Sequence, residues 1–212
     1  SFHVTFCSEG EYTRLGEAGL LQRIGQQFHW NNDAYESFDD FLATLSSRKR
    51  KSIRKERRDA NELVQIETLT GDALEERHME AFYGFYMNTI DRKWSDAYLN
   101  REFFHLLRER MADNVVLIMA SCDDRFVGGA LNILGEDTLY GRNWGCVERF
   151  RNLYFEACFY RAIDFAIERG LSTVEAGAQG PHKISRGYLP SATYSAHWIA
   201  DPGFRDAVED FL

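Results

Sequence analysis

The sequence has 212 residues, enough to bury a sizeable hydrophobic core, and we expect them to form a single domain. Hydrophobic residues make up 44% and charged residues 27% of the chain, and no apolar run approaches the roughly 20 residues of a membrane span, so the composition favours a soluble globular protein. The net charge of −8 argues against general nucleic-acid binding. The four cysteines are scattered without a C-x-x-C pair, which argues against a zinc site and favours a reducing, cytoplasmic setting.

The chain starts inside a predicted strand. Its first ten residues, SFHVTFCSEG, lack the basic lead and the apolar centre of a signal peptide, and no initiator methionine precedes them. We therefore expect the chain to be the C-terminal part of a longer protein. A short helix is predicted over residues 11–17, and the segment LLQRIGQQFHW is predicted to form a second strand.

A basic helical arm is predicted over about residues 36–60. Ser37 is a suitable N-cap, and the apolar residues that follow it at helical spacing are Phe38, Phe41, Leu42 and Leu45. The same helix is predicted to continue through RKRKSIRKERR, residues 48–58, where eight basic side chains against Glu56 leave a local charge of +7. Two interpretations stay open: a largely solvated helical arm, or a surface that grips a polyphosphate.

The centre of the chain is predicted to form two helices followed by an antiparallel meander. After the short strand LVQIETL, the helices cover roughly residues 72–88 and 96–111. The strands NVVLIMA, FVGGALNILG and TLYGRNWGC follow, separated by the turns CDDR and GED. An amphipathic helix from Leu153 to Arg169, closed by Gly170, leads to the strand STVEAG, which we expect to run parallel to TLYGRNWGC.

This order of elements, with a parallel strand pair joined by one helix, resembles the GNAT superfamily of acyltransferases. The segments GRNWGC, FEACFYRAIDFAIERGL, GAQGPHKISRGYLP and SAHW, together with the stretch from Phe28 to Arg58, look like its FemAB-like branch. The similarity extends over nearly the whole chain. It implies an α/β (α+β) fold: a GNAT-like mixed central sheet with an antiparallel meander and a splayed parallel strand pair, flanked by helices.

Members of that branch are predicted N-acyltransferases, often described as peptidoglycan biosynthesis or recognition proteins. Relatives of known activity use acetyl-CoA or, in Fem-type ligases, move an amino acid from aminoacyl-tRNA to the amine of a cell-wall precursor. The resemblance therefore implies an N-acyltransferase with an acyl-CoA or aminoacyl-tRNA donor and a small-molecule or cell-wall-precursor amine as acceptor. Fold alone does not choose between these donors, and the sequence leaves the oligomeric state open.

GNAT enzymes hold the donor's pyrophosphate on backbone N–H groups of a Q/R-x-x-G-x-G/A loop, at the start of the helix that joins the parallel strands. The corresponding segment here, CVERFRN, contains no glycine. This departure weakens the case for coenzyme A, so no tightly bound cofactor is expected and acyl-CoA stays one of the two candidate co-substrates. A solvated loop with two arginines is the alternative for this segment. The residues predicted to contact the cofactor are Gly145, Cys146, Arg149, Arg151 and Asn152.

Three residues beside the predicted strand gap are candidates for binding or chemistry. Glu156 lies in the first turn of the joining helix and flanks its buried side, so it could deprotonate an amine or bind a cation such as Arg142. A dipole-stabilising or ion-paired glutamate is the alternative. Arg142 and Trp144 are two positions apart on one strand and should share a face, where they suit an anionic, ring-containing ligand. The alternative is a core tryptophan beside an arginine paired with an acid.

The segment GAQGPHKISRGYLP follows the last parallel strand, at the edge where open α/β sheets bind ligands. We predict a ligand-binding loop here, with an ordered surface loop as the alternative. Glu175 and His182 are further candidate bases. The predicted substrate contacts of this region and of SAHW are Gln179, Lys183, Arg186 and His197. For His197 the alternative is a hydrogen-bonded core histidine.

Together these predictions describe direct transfer without a covalent enzyme intermediate or a metal. A base, either Glu156, Glu175 or His182, takes a proton from an amine, which attacks a thioester or aminoacyl ester between the diverging strands. Backbone N–H groups near Trp144 and Gly145 would meet the oxyanion. The alternative function is a non-catalytic module that recognises an anionic cell-wall precursor or nucleic acid through the basic helix.

Overall fold

The structure, a computed structural model, describes residues 1–93, 96–178 and 180–212. These residues form two compact units: the first combines Ser1–Phe28 with Pro190–Leu212, and the second spans His29–Leu189. The single domain expected over the whole chain stays a prediction. None of the helices in the described ranges is long and apolar enough to cross a membrane.

Eight strands lie within the described residues: β1 (Phe2–Cys7), β2 (Leu21–Asn31), β3 (Gln65–Leu69), β4 (Val115–Cys122), β5 (Arg125–Leu134), β6 (Thr138–Cys146), β7 (Thr173–Glu175) and β8 (Leu189–Trp198). The α-helices of the same residues are α1 (Glu9–Glu17), α2 (Phe38–Thr44), α3 (Ser47–Asn61), α4 (Glu76–Lys93), α5 (Arg101–Met111), α6 (Leu153–Phe155), α7 (Arg161–Glu168) and α8 (Pro202–Phe211). A π-helical turn, Glu156–Tyr160, joins α6 to α7, and short 3₁₀ helices cover Gly71–Ala73, Ala112–Asn114 and Pro181–Arg186.

The first unit brings the two ends of the chain together. β1 pairs antiparallel with β8, and His3 lies opposite His197. The predicted short helix is confirmed as α1, which starts with a capping box: the Ser8 hydroxyl accepts from the Glu11 backbone N–H, and the Glu11 carboxylate accepts from the Ser8 backbone N–H at 2.8 Å.

The second unit is built on the predicted meander. β3, β4, β5 and β6 pair antiparallel in that order. β7 pairs parallel with β6 over three residue pairs and antiparallel with the end of β2, His29–Asn31. The predicted mixed sheet, with its antiparallel meander and one parallel pair, is therefore confirmed.

Helices cover both faces of this sheet and bury its apolar side chains. On one face, Phe82 of α4 and Phe104 of α5 pack in a cluster with the β4 residue Leu117. On the other face, Ala157 of the π turn packs against Ile118 of β4 and neighbouring strand residues. The alternation of β4 side chains between the two faces explains why its first six residues, Val115–Ala120, are all apolar and buried.

The two parallel strands part after Tyr140. Their paired residues run from Thr138 opposite Thr173 to Tyr140 opposite Glu175, and β6 then continues to Cys146 without β7 beside it. At the branching point Gly141 lies close to the backbone of β7, so that a Cβ there would be 3.0 Å from the Glu175 carbonyl oxygen. The predicted divergence of the strands is confirmed.

The predicted continuous helical arm is wrong, because the chain breaks it into α2 and α3. Ser37 is the N-cap of α2, as predicted, but Leu45 is extended (φ −88°, ψ 157°) and ends that helix. Ser46 then caps α3 by accepting a hydrogen bond from the Lys49 N–H. Arg50 donates to the Leu45 carbonyl oxygen at 2.9 Å and so bridges the break.

The predicted helix from Leu153 to Arg169 is confirmed in extent, since α6, the π turn and α7 follow one another without a break. Gly170 comes next with a φ of +65°, the left-handed conformation typical of a residue that follows a helix. The two helices predicted over residues 72–88 and 96–111 start later than expected, at Glu76 and Arg101.

Candidate functional site

A cavity of about 100 Å³ lies where β6 and β7 diverge. β5 and β6 contribute Ala130, Asn132 and Gly141, and Ala176, directly after β7, lies opposite them. The helical side of the cavity and the strand β6 add an aromatic wall with one thiol: Trp144, Tyr154, Cys158 and Phe159. We call this space the fork cavity.

Asn132 is a buried polar residue of the cavity that sequence reasoning missed. Its side chain is 2% exposed, and its amide nitrogen donates to the Val116 carbonyl oxygen at 3.1 Å. The amide oxygen faces Gly141, where a Cβ would lie 3.6 Å away. A single amide in the apolar segment GGALNILG was the available signal, because a buried polar side chain needs a specific reason to be there.

Trp144 lines the fork cavity, and its ring meets that of Tyr154 with the centroids 5.7 Å apart. It also packs against Ala130 and Ala157, as the core alternative predicted. Burial raises the pKa of Tyr154 to about 12, so this hydroxyl stays protonated at neutral pH. Burial likewise raises the pKa of the Cys158 thiol well above its usual range, which argues against a nucleophilic cysteine here.

The expectation that Arg142 and Trp144 share a face rests on regular alternation, and β6 is not regular at that point. Asn132 pairs with Gly141 and Leu131 with Asn143, so Arg142 is the extra residue of a β-bulge. Its exposed side chain lines the fork cavity and also a groove on the α5 side of the sheet. Trp144 lines the fork cavity as well, so the two residues meet at one cavity despite the bulge.

Glu156 does not pair with Arg142, the cation suggested from sequence. Its side chain is 0% exposed, and one carboxylate oxygen, Oε1, accepts from Arg57 at 3.2 Å and from Arg161 at 2.9 Å. The other oxygen, Oε2, has no hydrogen-bond partner in the described part of the chain. Arg57 also binds Asp164 and lies 4.2 Å above the ring of Phe38. The geometry is that of a structural ion pair, which was the alternative interpretation.

The basic helix α3 contributes Glu56 to a second ion-paired group. Arg186 donates to both carboxylate oxygens of Glu56 at 2.9 Å, and the Tyr160 hydroxyl donates to the same carboxylate. The Arg186 guanidinium also stacks on the ring of Phe155, 3.5 Å from its centroid. Arg186 thus ties the end of the predicted loop to α3, a contact that the sequence did not predict.

The loop after β7 turns back towards the fork. The Lys183 ammonium is buried and donates to the carbonyl oxygens of Ala176 and Gly177 at 2.6 and 3.0 Å. Burial lowers the pKa of Lys183. Gly180, with a φ of +110°, allows the tight turn, because a Cβ there would collide with the His182 ring.

His182 sits among aromatic rings beside the fork cavity. Its ring centroid lies 6.1 Å from that of Tyr154 and 5.9 Å from that of Phe159, two residues that line the cavity. Its Nε2 is buried and has no hydrogen-bond partner among the described residues. Burial, followed by the charges of Arg186 and Lys183, lowers the pKa of His182, so the imidazole is neutral at pH 7.

Glu175 lies at the last parallel residue pair, and its partner was missed from the sequence. The His29 Nε2 is 3.8 Å from the Glu175 carboxylate, and the two residues face each other across β2 and β7. The segment QFHW offered a signal, since a histidine at the end of a predicted strand can meet a neighbouring strand's last residue. Three candidate bases therefore occupy three distinct environments.

The whole sequence, residues 1–212, matches a protein family described as peptidoglycan biosynthesis/recognition. The chain belongs to the FemAB-like family. The branch suggested by the sequence segments is thus confirmed. No curated protein matches the sequence.

Solved structures with the same fold include FemX, at 12% identity and a TM-score of 0.67, where 95% of this FemAB-like chain covers 71% of the other. The C-terminal DUF2156 domain of a predicted lysylphosphatidylglycerol synthetase from Agrobacterium fabrum has 11% identity and a TM-score of 0.71, with 99% of this chain covering 70% of that one. L-PGS from Bacillus licheniformis has 12% identity and a TM-score of 0.58, and the match covers 94% of this chain and 69% of L-PGS. At these identities the likeness establishes the fold alone.

The residues of this FemAB-like chain that were predicted to contact a cofactor are mostly engaged elsewhere. Gly145 is buried so tightly against α4 that a Cβ would lie 2.4 Å from the Phe85 carbonyl oxygen. Cys146 is buried, and Arg92 donates to its carbonyl oxygen at 3.2 Å. Arg149 is exposed. The remaining two residues contact Asp59 of α3: Arg151 forms an ion pair with it at 3.7 Å, and the Asn152 amide donates a hydrogen bond to it at 3.4 Å.

The remaining predicted substrate contacts are Gln179 and His197. Gln179 lies outside the described residues. His197 belongs to the first unit, where its Nδ1 is 2.9 Å from the Nδ1 of His3 and its Nε2 is 3.0 Å from the Ser195 hydroxyl. It is hydrogen-bonded, as its alternative interpretation described, but it is half-buried and not a core residue. In the described ranges, no three His, Cys, Asp or Glu side chains are grouped so that they could hold a metal ion.

Proposed function

We propose that the protein is an acyl- or aminoacyltransferase that moves the acyl group of an activated donor to an amine. The observation that carries this proposal is the divergence of β6 and β7 around a cavity of about 100 Å³. That volume is below the roughly 300–1,000 Å³ of a typical ligand pocket but suits a single reacting group, such as an ester carbonyl. The FemAB-like family, described as peptidoglycan biosynthesis/recognition, supports an amine of a cell-wall precursor as acceptor.

Aminoacyl-tRNA is the donor we favour over acyl-CoA. The loop that would hold a pyrophosphate has no glycine, and Asp59 already engages Arg151 and Asn152. Two solved structures with this fold, FemX and a lysylphosphatidylglycerol synthetase, carry names that belong to aminoacyl-transfer chemistry. The exposed side of α3, with Arg48, Lys51 and Lys55, offers cations to a polyphosphate chain.

His182 is the base we favour. Its neutral imidazole has a buried Nε2 free of protein partners in the described chain, and its ring touches the aromatic wall of the fork cavity. In the proposed step Nε2 takes a proton from the acceptor amine, the amine nitrogen forms a bond to the donor carbonyl, and the ester or thioester bond breaks. The leaving oxygen or sulfur receives the proton, so that the products are an amide and the free donor alcohol or thiol. Glu175 with His29 is the second candidate pair, and Glu156 the least accessible one.

The experiment measures transfer with purified protein, offering acetyl-CoA, aminoacyl-tRNA and cell-wall precursor amines in all combinations. One productive pair would identify donor and acceptor. His182→Gln should then lower the rate about 100-fold or more, the usual contribution of a general base. His105→Gln, on α5 and away from the fork, is the matched control. If both histidine variants transfer at the wild-type rate, His182 is not the base.

The pH dependence of the rate tests the same assignment. Because burial and two neighbouring cations lower the pKa of His182, the base form is already dominant at pH 7. The rate should therefore rise with pH only on the acid side of neutrality and stay level from neutral to mildly alkaline pH. A rate that is flat down to pH 5 would favour a carboxylate base, Glu175 or Glu156.

A non-catalytic recognition module is the second candidate function. It is favoured by the exposed basic side of α3, where Arg48, Lys51, Lys55 and Arg58 lie on the face opposite the buried Ile53. Under this function the protein would bind anionic precursors or nucleic acid with strong salt dependence and without turnover. Binding of aminoacyl-tRNA with no transfer to any amine would support it against the enzyme.

A further inference from the structure

A second, larger space adjoins the fork cavity on the α5 side of the sheet. This groove has a volume of about 470 Å³, against about 100 Å³ for the fork cavity. Of these two spaces, the groove falls within the range of roughly 300–1,000 Å³ that holds the body of a small ligand, and the fork cavity does not. The fork cavity can take a reacting group, and the groove can take the rest of a molecule.

The wall of the groove is apolar and open to solvent. Tyr98 precedes α5 and is 76% exposed, and on α5 Phe103 and Met111 are 37% and 41% exposed. Leu107 of α5 and Ile133 of β5 complete the apolar surface. Exposed aromatic and apolar side chains that converge on one concave surface are typical of a ligand site.

The two spaces meet at the β-bulge of β6. Leu131, Arg142 and Asn143 line both of them. The bulge places Arg142 as the extra residue between Gly141 and Asn143 and so turns its side chain out of the regular alternation. A ligand lying in the groove would therefore pass the bulge to reach the fork.

The polar end of the groove is positively charged. Arg142 is exposed and has no ion pair or hydrogen bond with any residue that the structure describes. The described lining of the groove contains no aspartate or glutamate to neutralise it. An unpaired guanidinium beside an apolar wall fits a ligand that joins a negatively charged head to an apolar group.

Two other grooves of similar size make a useful contrast. One is lined by Glu62, Asp123 and Asp124, and the other by Glu67 and Asp124 with Arg77 as its cation. Their described linings share no residue with the fork cavity. Both the charge of the α5 groove and its connection to the fork therefore set it apart.

We propose that the groove between α5, β5 and β6 binds an amphiphilic anion, with a carboxylate or phosphate head on Arg142 and an apolar group against Phe103 and Met111. If the groove holds the body of the acceptor, the acceptor amine reaches the fork past the bulge; this part of the inference rests on the proposed function. As a binding site it stands independently of turnover. The substrate class it selects is an amine that also carries a negative charge and an apolar portion.

Calorimetry with simple probes tests the site without any transfer reaction. Decanoate and decyl phosphate, each below its micelle concentration, should bind, and the tighter of the two identifies the head group. Decyltrimethylammonium, which carries the opposite charge, and inorganic phosphate, which has no apolar group, should bind at least about tenfold more weakly. Equal binding of the anionic and cationic probes would overturn the proposal.

Matched variants locate the binding. Arg142→Gln should weaken both anionic probes about tenfold, because it removes the charged partner of the head group, and should leave decanol binding unchanged. Phe103→Ala should weaken all the decyl probes. Arg110→Gln, an exposed arginine of α5 outside the groove, is the control for Arg142→Gln. If the two arginine variants bind decyl phosphate equally well, the head group is not on Arg142 and the inference fails.

The outcome separates this inference from the proposed function. If decyl probes bind through Arg142 but no donor and amine pair reacts, the groove is a binding site and the transferase proposal fails. If transfer occurs at the wild-type rate in Arg142→Gln and Phe103→Ala, the transferase stands and the groove is not the acceptor site.

Discussion

Charged and polar side chains behave in opposite ways in two regions of the second unit. In the ion-pair region between α3, the π turn and the 3₁₀ helix Pro181–Arg186, opposite charges pair: Glu56 binds Arg186, and Glu156 binds Arg57 and Arg161 through Oε1. Around the fork, the His182 Nε2 and the Arg142 guanidinium have no partner among the residues described by the structure. The comparison shows that a charged residue's type does not reveal its role, whereas its partners do.

The energetic reason is the cost of burying a charge. A buried carboxylate or guanidinium is tolerated when a partner compensates for its lost hydration, and removing one partner is strongly destabilising. Groups in the ion-pair region have largely met that condition within the protein. Beside the fork, the buried His182 Nε2 lacks a partner in the described chain and the exposed Arg142 guanidinium is left to solvent, so a ligand can supply an interaction to both.

Glu156→Gln is the substitution expected to change the free energy of unfolding most. The substitution removes the charge shared by Arg57 and Arg161, which are partly exposed, so we expect a loss of about 3 kcal/mol in the free energy of unfolding, at the low end for a buried pair. Urea denaturation measures it, with the exposed Glu168→Gln on α7 as the control. The transfer rate per folded molecule should stay the same. A variant of normal stability that has lost transfer would make Glu156 the base.

Glu56→Gln tests the second ion pair and its influence on the fork. We expect a loss of about 2 kcal/mol, because the nearly buried Arg186 loses its charged partner but can still bond to the amide. The pKa of His182 should also fall further, since the charge of Arg186 already lowers it and would no longer be balanced.

Urea denaturation and an NMR titration of the His182 ring measure the two effects of Glu56→Gln. Glu62→Gln, an exposed acid directly after α3, is the matched control and should change neither quantity. A Glu56 variant with normal stability and an unchanged His182 titration would show that the ion-pair region and the fork are independent.

The smallest effect on stability is expected for the exposed side of α3. Arg48→Gln and Lys51→Gln remove cations with no partner in the described chain, so the free energy of unfolding should change by less than about 0.5 kcal/mol. If α3 binds the phosphates of a donor, the same variants should weaken donor binding and make its salt dependence shallower by roughly 0.7–0.9 per lost contact. Unchanged salt dependence would identify this side of α3 as a solvated surface.

The sequence predicted the elements well where one local pattern dominates. The meander strands, the parallel strand β7 and the helix from Leu153 onward follow from apolar runs, turn residues and a capping glycine, which act between near neighbours. The prediction of one continuous helical arm was wrong because the helical spacing of apolar residues is the same on both sides of the break. An extended Leu45 and a capping Ser46 end one helix and start another without interrupting the spacing of apolar residues.

The candidate site was predicted in part. The loop after β7 and the region around Trp144 do border the fork, as the order of the strands required. Arg142 and Trp144 both line the fork cavity, although a bulge that adds one residue interrupts the regular alternation that the inference assumed. His29 and Asn132 were missed because their significance depends on contacts with strands that are distant in sequence.

What the sequence determined by itself is the list of elements and their order, because these depend on local periodicity and on chain connectivity. The divergence of the parallel pair was implied by the resemblance to the GNAT superfamily. What only the tertiary structure decided is which polar groups are paired. Glu156 binds Arg57, 99 residues away, and Arg186 binds Glu56, 130 residues away, across elements whose approach no local pattern records. Partner choice is a property of the packed chain, and it is this choice that leaves His182 and Arg142 beside the fork.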